Sequence, residues 1–392
     1  MALRAALRLV LFSSFLAAVV PLAFAAQRVV DLTAADGTKL KATFFSAEKP
    51  GPGVLLLHQC NRERKIWDGL AQQLAAAGMN VLTLDYRGFG ESGGIPVAKA
   101  TPQQAQEALA QWPNDIDLAM QYLQAQPGVK RDIIGVGGAS CGVNNSVQAA
   151  RRHPEVKSLV LLSGNTDLNG RNFLRQNQNV PVFFAYADDD EFKPSIIAIQ
   201  WLYALTADPS KTLLRYANGG HGADIFPVHP DLPNHIVDWY KTTLISTPGK
   251  APVPKEPPVI PANIAILDTI DQPGGALKVE PKLAEARKRD PNATLFDEAT
   301  VNLMGYEHMQ TGDLTTATDI LQLNALAFPN SPNVYDSLGD VYVAAGQKQL
   351  ALENTKKALH LLASDTTDDQ QRKDGIKASA EQKLKQLGVT TQ

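Results

Sequence analysis

The sequence predicts a doubly wound α/β domain built on a mostly parallel sheet, followed by an all-α helical-repeat domain. Three observations carry this. Short apolar runs alternate with helix-length stretches between residues 27 and 246. A proline-rich stretch over 247–261 then breaks the pattern. Beyond it strand patterns stop, and small residues recur at an offset of 34.

Taken in order, Arg4 and Arg8 precede an apolar run from Leu9 to Leu22 that ends in Ala23-Phe24-Ala25. This is the pattern of a secretory signal peptide over residues 1–25, and it predicts an exported protein, periplasmic or secreted. A retained membrane anchor is the alternative, but the run is short for the ~20 apolar residues of a spanning helix and Pro21 interrupts it. No membrane span is expected after cleavage.

From Arg28 to Phe45 apolar and polar residues alternate around Asp36-Gly37, a dipeptide suited to a tight hairpin turn. Continuous apolar runs follow at Val54–Leu57, Val81–Leu84, Ile133–Val136, Leu159–Leu162, Val182–Tyr186 and Leu213–Tyr216. Such runs suit strands buried on both faces, as in a parallel sheet. Helices are expected between them at Trp67–Ala77, Gln103–Gln124, Gly142–Arg152 and Ser195–Ala207, with a last one at Asn234–Leu244. The segment between Leu162 and Val180 is too short for a lid domain, which implies an open cleft.

Residues 247–261 hold six prolines and read as a stiff linker. Over 262–392, Gly305 and Gly339, Gly312 and Gly346, and Ala317 and Ala351 are each 34 apart, the period of tetratricopeptide helix pairs. Small side chains let paired helices approach closely, and Leu303, Leu338 and Tyr342 are expected to fill the seam. Ile264–Lys288 is expected to add a helical cap.

The 392 residues are 44% hydrophobic and 20% charged, as in a folded soluble protein of two or three domains. Taking Arg4 and Arg8 from the 37 basic residues leaves 35 against 40 acidic ones, too mild a balance to steer the chain to nucleic acid. A small neutral or mixed substrate is the default. With no H-E-x-x-H, paired C-x-x-C or G-x-x-x-x-G-K, no metal, nucleotide or haem is indicated, and the chemistry below needs no cofactor.

That chemistry centres on Gly138-Ala139-Ser140-Cys141-Gly142, a G-x-S-x-G pentapeptide between an expected strand and an expected helix. A sharp turn here forces the serine into a strained backbone, which only small residues two positions either side tolerate. Cys141 is a rival nucleophile, but an elbow centred on it would place branched Val143 at the flank, so Ser140 is preferred. A turn that merely joins strand to helix is the inert alternative. In a serine triad of this layout the acid and then the histidine follow later strands. Asp188, Asp189 and Asp190 follow one strand, and His221, between Gly220 and Gly222, follows the last.

Here the chain resembles the α/β-hydrolase superfamily. The likeness covers residues 27–245 and includes His58-Gln59-Cys60, where the family has His-Gly-x, and a D-x-R-G-x-G-x-S-x-G loop from Asp85 to Gly94. The superfamily pattern sets the acid nine residues after the strand's proline, which from Pro181 selects Asp190; Asp188 and Asp189 remain alternatives. The resemblance implies an oxyanion hole formed by the backbone N–H groups of Cys60 and Cys141. Because these positions converge on one oxygen atom, a Cys60–Cys141 disulfide and a pair of reduced thiols both stay open.

The lidless layout is similar to the dienelactone-hydrolase-like and esterase branches. True dienelactone hydrolases carry cysteine at the elbow, so their lactone is not carried over to a chain with Ser140. The expected reaction is hydrolysis of a carboxylic ester or related acyl bond of a small molecule through an acyl-enzyme. Arg62, Arg64 and Lys65 read as a solvated charge cluster, with contact to a substrate carboxylate as the sharper alternative. A serine peptidase is the rival enzyme. An inert hydrolase domain beside repeats that bind a protein partner is the rival of another class.

Overall fold

The computed structural model describes residues 27–389; the expected signal peptide lies outside them. Eight strands among the described residues form one sheet: β1 (Gln27–Thr33), β2 (Lys39–Phe45), β3 (Gly51–Leu57), β4 (Asn80–Leu84), β5 (Val129–Ala139), β6 (Val156–Leu162), β7 (Val182–Ala187) and β8 (Lys211–Tyr216). Their order is β1-β2-β4-β3-β5-β6-β7-β8. The opening hairpin turns at Asp36-Gly37, and β2 pairs antiparallel with β4. From β4 through β3 to β8 every pairing is parallel.

Six helices cover the two faces: α1 (Asp68–Ala76), α2 (Pro102–Ala125), α3 (Cys141–Arg152), α4 (Leu168–Gln176), α5 (Lys193–Leu205) and α6 (Asp231–Tyr240), the last continuing as a π-turn to Ser246. The continuous apolar runs arise because alternate residues of a central strand serve opposite faces. On β3, Leu55 and Leu57 join the core that contains Trp112, whereas Val54 and Leu56 join the one around Trp67 and Leu70. The segment expected to hold little more than a connection contains α4. Two of its side chains, Arg171 and Arg175, reach residues almost one hundred positions away.

After an irregular stretch the chain is helical: α7 (Ala262–Ile270), α8 (Gly275–Arg289), α9 (Glu298–Gln310), α10 (Leu314–Ala327), α11 (Pro332–Ala344), α12 (Lys348–Leu362) and α13 (Gln370–Gln386). The pair α9–α10 recurs as α11–α12, each helix starting 34 residues after its counterpart. A Cβ on Gly305 would stand 2.6 Å from Leu321, which is why a glycine suits that crossing. Leu338 and Tyr342 are buried in the repeat core, but Leu303 is not: it stays 52% exposed and faces the α/β domain.

The helical region shares a core with the sheet. Ile264, Leu267, Val301 and Met304 belong to the same apolar cluster as Leu55 and Trp201. A buried ionic cluster reinforces the junction. Arg171 makes two bonds to Asp271, at 2.7 and 2.9 Å, and one of 2.6 Å to Glu307, while Arg175 bridges Asp268 and Asp271 at 2.7 Å each. Burial pushes the Asp271 carboxyl up, but His308, Arg171 and Arg175 outweigh it and hold it well below the carboxylate range.

Candidate active site

Ser140, Asp190 and His221 all lie beyond the C-terminal ends of parallel strands, the edge where open α/β sheets bind ligands. Ser140 joins β5 to α3 with φ 53° and ψ −119°, a conformation that costs about 1–3 kcal/mol and persists only where its surroundings enforce it. The two flanking glycines allow the close approach. A Cβ on Gly138 would fall 2.0 Å from the Gly142 carbonyl oxygen, and one on Gly142 would fall 2.3 Å from that of Leu57. The Ser140 N–H donates to Leu162 O at 2.9 Å, tying the turn to β6.

His221 and Asp190 meet directly. The ring Nδ1 lies 2.9 and 3.0 Å from the two carboxylate oxygens, with both side chains buried. Asp190 also accepts from Ser195 Oγ at 2.6 Å and from the Phe192 N–H at 2.8 Å. Burial pushes its carboxyl up, yet the hydrogen bonds from His221, Ser195 and Phe192 leave it below the usual range, and so ionised. Its neighbours are occupied elsewhere: Asp188 pairs with exposed Arg215, and Asp189 accepts the Gly220 N–H at 2.9 Å, steadying the loop before His221.

Cys60 and Cys141 are joined as a disulfide, with Cα atoms 5.8 Å apart. The bond leaves Cys141 without a thiolate, so its sulfur is not a free nucleophile. Cys141 is the first residue of α3, where backbone N–H groups have no intrahelical acceptor. At the other position, buried His58 accepts the Tyr86 N–H on Nε2 and therefore carries its proton on Nδ1, which donates to Gln59 O at 2.8 Å. C=O and N–H point opposite ways in a trans peptide, so this bond fixes the direction of the Cys60 amide.

Gln59 has a purpose that its sequence position did not disclose. Its Oε1 accepts the Ala223 N–H at 2.9 Å, and its Nε2 donates to His221 O and Asp224 Oδ2 at 3.2 Å and to Asn61 Oδ1 at 3.0 Å. The side chain thus clamps the segment after β3 to the histidine loop.

The reading of a solvated cluster suits exposed Arg62 and Lys65 but not Arg64. Arg64 is fully buried and bonded to Asp85, Thr43 and Glu91; Lys65 pairs with Glu91 at 2.7 Å; and Arg62 grips Asp224 at 2.9 and 3.0 Å. These cations brace the loops, and their partners already neutralise them. The Asp85–Gly94 loop is bracing too, with Arg87 making two 2.6 Å bonds to buried Asp115.

Ser140 and His221 line a cavity of about 310 Å³. Phe192, Ile197, Ala198 and Trp201 form one wall from α5 and the residue before it, and Thr300 and Leu303 of α9 also line it. The cleft expected from the short β6–β7 connection is thus lined on one side by α9 of the C-terminal region. Sequence spacing carried no signal that positions 140 and 303 line one cavity.

The strand order, the parallel pairing from β4 to β8 and the sharp turn at Ser140 between β5 and α3 are those of the α/β-hydrolase fold. Residues 48–183 match the family described as serine aminopeptidase, S33. The thiohydrolase aneE of Aspergillus aculeatus is 28% identical over 134 residues, 33% of this chain and 39% of that protein. The acyltransferase drtE of Aspergillus calidoustus is 26% identical over 189 residues, 44% of this chain and 59% of that protein. The chain thus matches about two fifths of one curated relative and three fifths of the other. Similar solved structures include an esterase of Pyrococcus furiosus, with TM-score 0.45 and 19% identity over 56% of this chain and 94% of that one. A dienelactone hydrolase of Anabaena variabilis has TM-score 0.44 and 18% identity over 56% and 99%.

Proposed function

We propose that the protein is an exported serine hydrolase that cleaves a carboxylic ester, or a related acyl bond, of a neutral small molecule. The observation that carries the reading is the buried Asp190–His221 pair opening onto the same cavity as a serine in a strained elbow. Ser140 Oγ attacks the acyl carbon as His221 Nε2 takes its proton, and the Cys60 and Cys141 amides receive the oxyanion. Asp190 holds the Nδ1 proton and stabilises the imidazolium. Collapse of the intermediate expels the alcohol, which takes the proton back from His221, and water then repeats the sequence to free the acid.

No carboxylate, lysine or arginine stands among the lining residues, which favours a neutral acyl compound over a peptide held by a terminal charge. A thiohydrolase and an acyltransferase among the relatives fit acyl chemistry and place a thioester on the test panel. Export is supported by the apolar run after Arg8 and by a disulfide suited to an oxidising compartment.

The test compares the mature protein and Ser140→Ala on p-nitrophenyl esters, an acyl thioester and an aminoacyl p-nitroanilide. Turnover of esters or thioesters that falls about 10⁴-fold or more in the variant is expected. Preference for the anilide would move the reading to a peptidase, and inactivity on all three to a binding protein.

A further inference from the structure

We infer that helix α9 of the repeat region is a wall of the acyl pocket, so that Leu303 sets how long an apolar acyl chain the enzyme accepts; this rests on Ser140 being the nucleophile. Thr300, Leu303 and Glu307 are spaced i, i+3, i+7 and fall on one stripe of α9. Two members of the stripe line the cavity, and the third is bonded to Arg171 of α4 at 2.6 Å. The helix is thus pinned to the α/β domain one turn beyond the point where it covers the site.

The facing wall is tied into the same anchor. Trp201 lines the cavity, donates Nε1–H to Asp268 of α7 at 3.2 Å, and carries the Arg171 guanidinium 4.7 Å from its ring centre. Val301 and Met304, on the neighbouring stripe of α9, are buried in the shared core, while Leu303 is left half-exposed towards the cavity. The pocket is therefore made by two parts of the chain held in fixed register.

Its chemistry selects the ligand. Phe192, Ile197, Ala198, Trp201 and Leu303 give an apolar lining, and about 310 Å³ lies at the small end of ligand pockets, which run roughly 300–1,000 Å³. At about 30 Å³ for each water-sized group, an acyl chain of roughly six to ten carbons fits. The acyl group is the part of the ester to place here, because it stays on Ser140 through both half-reactions while the alcohol must leave to admit water.

The experiment measures kcat/KM on p-nitrophenyl acetate, butyrate, octanoate and laurate for the mature protein, Leu303→Trp, Leu303→Ala and Leu350→Trp. Leu350 is a partly exposed leucine of α12 outside the cavity. The expected result is an octanoate-to-acetate ratio lowered on the order of tenfold in Leu303→Trp. In Leu303→Ala the preferred length shifts towards laurate, and Leu350→Trp stays within twofold of wild type. Ratios in both Leu303 variants within twofold of wild type, with Ser140 still labelled by a fluorophosphonate, would overturn the inference and leave the hydrolase reading standing. A wild type that neither labels nor turns over any ester overturns both.

Discussion

Gln59 and the cysteine pair show how single residues hold this site together. Gln59 stands where the superfamily pattern has glycine, and its amide bridges two loops that lie some 160 residues apart in sequence. Gln59→Ala leaves the Ala223 N–H without its acceptor and frees the His221 loop. Stability should fall by about 1–3 kcal/mol by calorimetry, with kcat reduced more than KM is raised. An unchanged kcat would show that the clamp is not needed for catalysis. The Cys60–Cys141 bond closes a span of 81 residues, for which the chain-entropy model gives about 4.5 kcal/mol of stabilisation. Protein denatured without reductant should contain no titratable thiol, and reduction should lower the denaturation midpoint; two thiols before reduction would contradict the bridge. Ser140 and His221 stand out in the sequence because each follows a strand in a fixed chain order, whereas Asp190 is separated from Asp188 and Asp189 only by the superfamily resemblance. The partners of Gln59 were not legible, since nothing local encodes a contact across the sheet edge.

At the scale of elements, α4 was the piece the sequence did not announce. Residues 168–176 are short and largely polar, and their stripe of Leu168, Arg171 and Arg175 makes sense only once α7 and α9 are in place. A buried ion pair adds little net stability, but removing one partner strands the others. Arg171→Met leaves part-buried Glu307 without a cation and Asp271 with Arg175 as its only arginine, and should cost about 3–5 kcal/mol, read as a lower urea midpoint. A midpoint within error of wild type would mean that the apolar core alone holds the junction. The 34-residue repeat was legible, because helix pairs must meet through small residues at a regular interval. The role of Leu303 was not: its spacing suits the repeat seam, yet it faces a neighbour outside the repeat.

The whole molecule joins a sheet and a helical repeat through one apolar core and one ionic cluster, and this sets its response to acid. The hydrogen bond from Arg87 pulls Asp36 down to about 2, and those from Lys65 and then Arg64 do the same to Glu91. Asp271 also lies below its ordinary value. These folded values fall beneath the roughly 4 of an unfolded chain, so their stabilisation is complete above about pH 5 and is lost as pH drops towards 2. Glu307 opposes this, because burial raises its carboxyl and protonation there favours the folded state. Near-UV circular dichroism should therefore stay constant from pH 7 to about 5 and decay below 4; a loss centred above pH 5 would assign the weakness elsewhere. Alternating strands and helices, the linker and the repeat fixed the order of parts in advance, but not that the last part would turn back over the first. The proposed reaction requires Ser140 to be an activated nucleophile. Treating the protein with a fluorophosphonate and locating the adduct by peptide mass checks this requirement. An adduct on Ser140, abolished in Ser140→Ala and much slowed in His221→Ala, is the predicted result; an unlabelled wild type, or an adduct on any other residue, would contradict it.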